Sequence, residues 1–90
     1  MNTIHLIISS PDGSLFEDDV LELSLRGANG DLAVMANHVP FITSVKPGKC
    51  KVVFGDNTEK TGYTDGGLLT VSKEAVTLFA GGFEWKETES

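Results

Sequence analysis

Along short runs of this sequence apolar residues alternate with others, and no eleven-residue window carries the sustained stripe of an amphipathic helix. Ile4, Leu6 and Ile8 alternate with Thr3, His5 and Ile7. Leu21, Leu23 and Leu25 alternate with Glu22 and Ser24, and Cys50, Val52 and Phe54 share one parity while Lys49 and Lys51 share the other. A period of two places successive side chains on opposite faces of a pleated strand, so each run reads as a half-buried strand. Turn signals punctuate the runs: Pro11-Asp12-Gly13, Pro47-Gly48, Gly55-Asp56-Asn57, Asp65-Gly66-Gly67, Lys73-Glu74 and Gly81-Gly82. The expected extended pieces are residues 3–9, 14–16, 20–25, 32–35, 41–46, 49–54, 58–64, 68–72, 75–80 and 83–86. They predict an all-β fold, an antiparallel β-sandwich or flattened barrel of about nine to ten short strands, with no helix longer than about one turn.

Ninety residues suit one small domain. It is expected over residues 1–86, with residues 87–90 a polar tail that frays. Cys50 is the only cysteine, so no internal disulfide forms and a reducing compartment is expected. Met1 is followed by neither a basic segment nor a long apolar one, which predicts no signal peptide, transit peptide or membrane-spanning helix. Any membrane association is then indirect, through a partner. Thirteen acids against seven bases give a net charge of −6, which argues against binding a nucleic-acid backbone. The charge is uneven, because residues 1–45 hold six acids and one base.

Conformational specialists concentrate between Gly27 and Gly48, in the run GANGDLAVMANHVPFITSVKPG. Gly27 and Gly30 bracket a turn in which positive φ is expected, and Asn37 is the non-glycine type that best tolerates the left-handed region. Pro40 keeps Val39 extended, and Pro47-Gly48 ends the run that begins at Phe41. This stretch reads as a loop region built to present side chains, with His38 at its centre.

The same stretch carries a family resemblance. The order Gly27-x-x-Gly30-Asp31-Leu32-x-Val34-x-x-x-His38-x-Pro40, then Thr43, then Lys46-Pro47-Gly48, resembles the amino-terminal β-sandwich domain of the epsilon subunit of F-type ATP synthases. Gly66-Gly67-Leu68-Leu69-Thr70-Val71 and Val76-Thr77-Leu78 are similar to stretches late in that domain, so the likeness spans nearly the whole chain. Ala33, Ala36 and Asn37 depart from it, standing where the family commonly has Gly, Pro and Gly. The resemblance implies a non-catalytic central-stalk subunit that docks the gamma subunit to the c ring and helps couple proton or sodium-ion flow to ATP synthesis. It implies a peripheral place on the cytoplasmic side of a bacterial cell membrane. It also implies a c-ring contact loop containing Asn29, Gly30, Asp31 and His38, its geometry set by Gly27, Gly30, Asn37, Pro40, Pro47 and Gly48. Most members continue into a helical hairpin, and this sequence ends before it. The chain is therefore expected to restore coupling without strong inhibition of ATP hydrolysis.

No residue pattern supports catalysis, a cofactor or a metal. His5, His38 and Cys50 lie in three separate elements without ligand-like spacing. His38 reads either as an ordering residue bonded to backbone or as a partner contact. Ser9 and Ser10 lack a nucleophile elbow and a nearby base, and read as turn residues. Glu17-Asp18-Asp19 lacks the ligand spacing and glycine of a calcium loop and reads as a solvated turn. No phosphate-cradling GxxxxGK run occurs. Cys50 reads as a small core hydrophobe, while Phe83 and Trp85 either cover one end of the sandwich or form a patch that another domain or subunit covers. The alternative function is a free-standing β-sandwich module for a ligand or peptide such as a carbohydrate. Such a module needs an aromatic platform or open groove, for which Trp85 and Tyr63 offer little material.

Overall fold

The computed structural model describes residues 2–37 and 39–86. Its elements are nine strands: β1 (Ile4–Ser10), β2 (Gly13–Gly27), β3 (Gly30–Met35), β4 (Phe41–Val45), β5 (Gly48–Phe54), β6 (Glu59–Thr64), β7 (Gly67–Val71), β8 (Val76–Ala80) and β9 (Phe83–Trp85). The all-β reading holds, and among the described residues no helix is long and apolar enough to cross a membrane. The expected tail at 87–90 lies outside the described residues.

The architecture turns on β2. Residues 14–16 and 20–25 belong to one 15-residue strand, not two pieces, and that strand serves both layers of the sandwich. Its first half pairs with β1, from Gly13 to Val20, and the first layer continues through β8, β7 and β4. Its second half pairs with β3 on one side and β5 on the other, and that layer continues through β6 and β9. A single pairing, Gly27 with Val45, links β2 back to β4 and draws the first layer into a flattened, closed ring. One pairing departs from the antiparallel expectation: β1 and β8 run parallel, with Leu6 opposite Val76 and Ile8 opposite Leu78. Residues remote in sequence are thereby joined at the centre of the first layer.

The alternation predicted for β1 and β5 is realised. Ile4, Leu6 and Ile8 face the core, as do Cys50 and Val52. In β2 it is shifted. Two residues of β2 oppose one of β5 where the register passes from Val20 to Glu22, so Leu21 is the extra residue of a β-bulge. The bulge lets Val20 face the core together with Leu23 and Leu25, and leaves Leu21 only half-buried. These residues join Leu69, Leu78, Val71 and Val76 in one cluster filled from both layers.

An aromatic seam lies against that cluster. Phe16 of β2 meets Trp85 of β9 edge-on at 5.4 Å and Phe54 of β5 at 6.0 Å, while Phe83 meets Trp85 at 5.0 Å. Lys60 Nζ sits 5.4 Å from the Trp85 ring centroid and caps its outer face. The seam joins the edge strand of one layer to the edge strand of the other. Cys50 is buried in the core, and loss of hydration pushes its thiol up to about 11.

Candidate functional site

Strand directions sort the connections into two ends. One end carries the turns at 11–12, 28–29, 46–47, 65–66 and 81–82. The other carries the connections 36–40, 55–58 and 72–75. The sequence stretch from Gly27 to Gly48 is thus divided between them and is not one presenting loop. β3 has six residues and spans roughly 20 Å at the usual rise of a strand, which separates Asn29, Gly30 and Asp31 from Asn37 and Pro40. His38 lies outside the described residues.

At the first end, Gly27 pairs with Gly30 to close a hairpin whose tip is Ala28 and Asn29. Gly30 has φ +123°, a conformation that side chains with a Cβ rarely adopt. Gly27 does not take positive φ, and a Cβ there would meet the end of the flexible Leu32 side chain, Cδ2 at 2.6 Å, which would have to shift. Asp31 follows on β3, where Arg26 Nε donates a hydrogen bond to its Oδ1 at 3.1 Å. The two side chains are 60% and 79% exposed, so the pair is a surface clasp across the hairpin. Pro47 lies in the neighbouring turn, held by the Lys46 amide donating to the Arg26 carbonyl at 2.9 Å, and Gly48 opens β5. At the opposite end Asn37 adopts φ 71°, and Pro40 leads into β4.

The outer face of the first layer supplies a feature the sequence reading missed. Residues in register across it form two rows: Ile42, Thr70, Thr77 and Ile7, and beside them Ser44, Leu68, Phe79 and Ser9. Ile42 is 67% exposed, Leu68 45% and Phe79 49%. β4, β7 and β8 contain no charged residue in a chain of net charge −6. The only signal in the sequence was that both parities of β4 and β8 carry large apolar side chains. Alternation alone does not say which of them stays outside.

This uncharged face is flanked on β1 and β2 by an ionic cluster. His5 Nδ1 lies 2.8 Å from Asp19 Oδ1 and Nε2 lies 2.7 Å from Glu17 Oε2. Both carboxylates are acceptors, so both ring nitrogens must donate, and that is satisfied only by the imidazolium. The hydrogen bond to Asp19, then that to Glu17, raises the His5 pKa above its ordinary value. Glu17-Asp18-Asp19 therefore lies within strand β2 and not in a solvated turn: β1 supplies its backbone partners and His5 its counter-charge. Ser9 and Ser10 likewise lie in β1, where Ser10 Oγ accepts from the Asp12 amide at 3.2 Å and supports the following turn.

The family described as "ATP synthase, Delta/Epsilon chain, beta-sandwich domain" matches residues 3–86. The chain is similar to the sodium-ion-specific ATP synthase epsilon chain of Acetobacterium woodii, with 34% identity over 85 residues, covering 94% of this chain and 64% of that one. It is also 34% identical over 80 residues to the ATP synthase epsilon chain of Delftia acidovorans, covering 89% of this chain and 58% of that one. It thus spans less than two thirds of the length of either relative. In fold it resembles a chain of the Euglena gracilis mitochondrial ATP synthase (OSCP/F1/c-ring), with TM-score 0.87 at 20% identity, over 94% of this chain and 54% of that one. A chain of the Tetrahymena thermophila mitochondrial ATP synthase central stalk and c-ring superposes with TM-score 0.77 at 13% identity, over 90% of this chain and 65% of that one. With strand topology, family match and epsilon-chain likeness in agreement, the chain belongs to the family of ATP synthase delta/epsilon-chain β-sandwich domains.

Proposed function

We propose that this chain is a non-catalytic central-stalk component of a rotary ATP synthase, bound to the gamma subunit through the outer face of its first layer. The hairpin end with Asn29, Gly30 and Asp31 rests on the c ring. The observation that carries this reading is the uncharged, apolar face of Ile42, Leu68 and Phe79 on an acidic domain. Exposed apolar surface gathered on one sheet face gains free energy when a partner covers it, and the flanking Glu17 and Asp19 favour a partner whose rim is basic. Asp31, on β3 just beyond the hairpin tip, offers a carboxylate to an arginine of the ring, a directional contact of about 0.2–1 kcal/mol that tunes docking without supporting the fold. Attachment at both places lets the domain transmit rotation between ring and stalk, and places it peripherally at the cytoplasmic side of the membrane.

Binding to isolated gamma subunit, measured by calorimetry, tests the assignment. Leu68→Glu and Phe79→Glu are each expected to weaken binding at least tenfold, because each buries an unpaired charge in the contact. Glu59→Lys, on the other layer, is expected to leave it unchanged. Equal affinity for all of these variants and the wild type would overturn the assignment of the face.

A further inference from the structure

The outer face of the second layer holds an open groove of about 620 Å³ that meets the proposed docking only at Asp31. Arg26, Lys49, Lys51, Ser24, Thr61 and Asp31 line it over an apolar floor that includes Leu32 and Ala33, and Ser24 Oγ donates to the adjacent Glu22 carboxylate at 2.8 Å. Three of the seven bases of the chain therefore gather at one groove. Its lining carries +2, or +1 with the adjacent Glu22 counted, in a chain of −6. Ser24, Lys51 and Thr61 stand opposite one another across β2, β5 and β6, and Lys49 is the next residue on the same face of β5. Two lysines at alternate strand positions are about 7 Å apart, which matches carboxylates at alternate positions of an extended chain.

From this geometry we infer that the groove is a docking surface for an extended acidic segment of a partner polypeptide, with carboxylates two residues apart lying along β5. A small anion is the poorer occupant, because small-ligand sites enclose most of their ligand and this trough is open along its length. The positive potential of the groove, set in an acidic molecule, steers such a segment to this face and away from the others. Arg26 is shared between Asp31 and the incoming carboxylate, since a guanidinium has five donors and Asp31 takes one.

The test uses the full chain, labelled with nitrogen-15, titrated at low salt with a short capped peptide of alternating glutamate and serine. The expected result is saturable movement of the amide signals of Ser24, Lys49, Lys51 and Thr61, lost in the double variant Lys49→Glu, Lys51→Glu and fading as salt is raised. Lys60→Glu, whose lysine sits over Trp85 and outside the groove, is expected to bind as the wild type does. No movement at these amides would overturn the inference, as would equal loss in Lys60→Glu. Inorganic phosphate at matched concentration moving the same signals as strongly would replace the polypeptide with a free anion. Sedimentation showing salt-sensitive self-association, abolished by the lysine double variant, would assign the groove to a second copy of this chain and overturn the inference of a separate partner.

Discussion

The His5 clasp couples one side chain to the pairing of β1 with β2, and its pH dependence has a definite sign. The folded-state pKa lies above the ordinary value of 6.5, chiefly through Asp19 and then Glu17. Below 6.5 the ring is charged in both folded and unfolded chains, and the clasp contributes in full. As pH rises through the raised folded value the imidazolium is lost and the contribution disappears. A nuclear magnetic resonance titration is expected to give His5 a midpoint above 6.5, and urea midpoints are expected to fall across that window in the wild type but less so in His5→Gln. A His5 midpoint at or below 6.5 would contradict the clasp. None of this was legible in the sequence, because His5 and Glu17 are twelve positions apart and only the β1–β2 register makes them neighbours. The roles of Gly27 and Gly30 were partly legible: a glycine pair marks a turn, but not that only Gly30 takes positive φ.

Elements whose alternation is regular were read correctly from the sequence, and β2 shows why one was not. Its acidic middle breaks the apolar period, so the run reads as two pieces with a turn between. In the folded chain β1 pairs along all of that middle, and the backbone stays extended. The bulge at Leu21 then shifts the parity, a change that side-chain pattern cannot reveal because Val20, Leu21 and Leu23 are all apolar. The two readings differ measurably. With Leu23 fully buried and Leu21 half-exposed, Leu23→Ala is expected to cost about 2–5 kcal/mol in urea unfolding and Leu21→Ala clearly less. Equal losses would place both leucines on the core face and remove the bulge. The β5–β6 turn was better marked, since Asn57 takes φ 69° and the Asp56 carboxylate accepts from both the amide and the hydroxyl of Thr58. Those two bonds hold the Asp56 pKa below its ordinary value.

At the scale of the whole molecule, fold class followed from local pattern, while the arrangement of surfaces did not. The parallel β1–β8 pairing joins the first strand to the eighth, and no local signal encodes it. That pairing sets Ile7 beside Thr77 and Phe79 beside Ser9, and so builds the uncharged face from three distant parts of the chain. The expected contact loop was legible as a set of turn residues, but β3 runs through it and divides those residues between two ends of the sandwich. The two proposed attachments are consequently a face and an end of one sandwich. The decisive measurement is ATP-driven ion pumping by membrane vesicles whose ATP synthase has been depleted of its epsilon subunit. Adding this chain is expected to restore pumping, and adding Phe79→Glu at the same concentration is expected to restore little. No gain in pumping with the wild-type chain, or an equal gain with Phe79→Glu, would contradict a rotor subunit docked through this face.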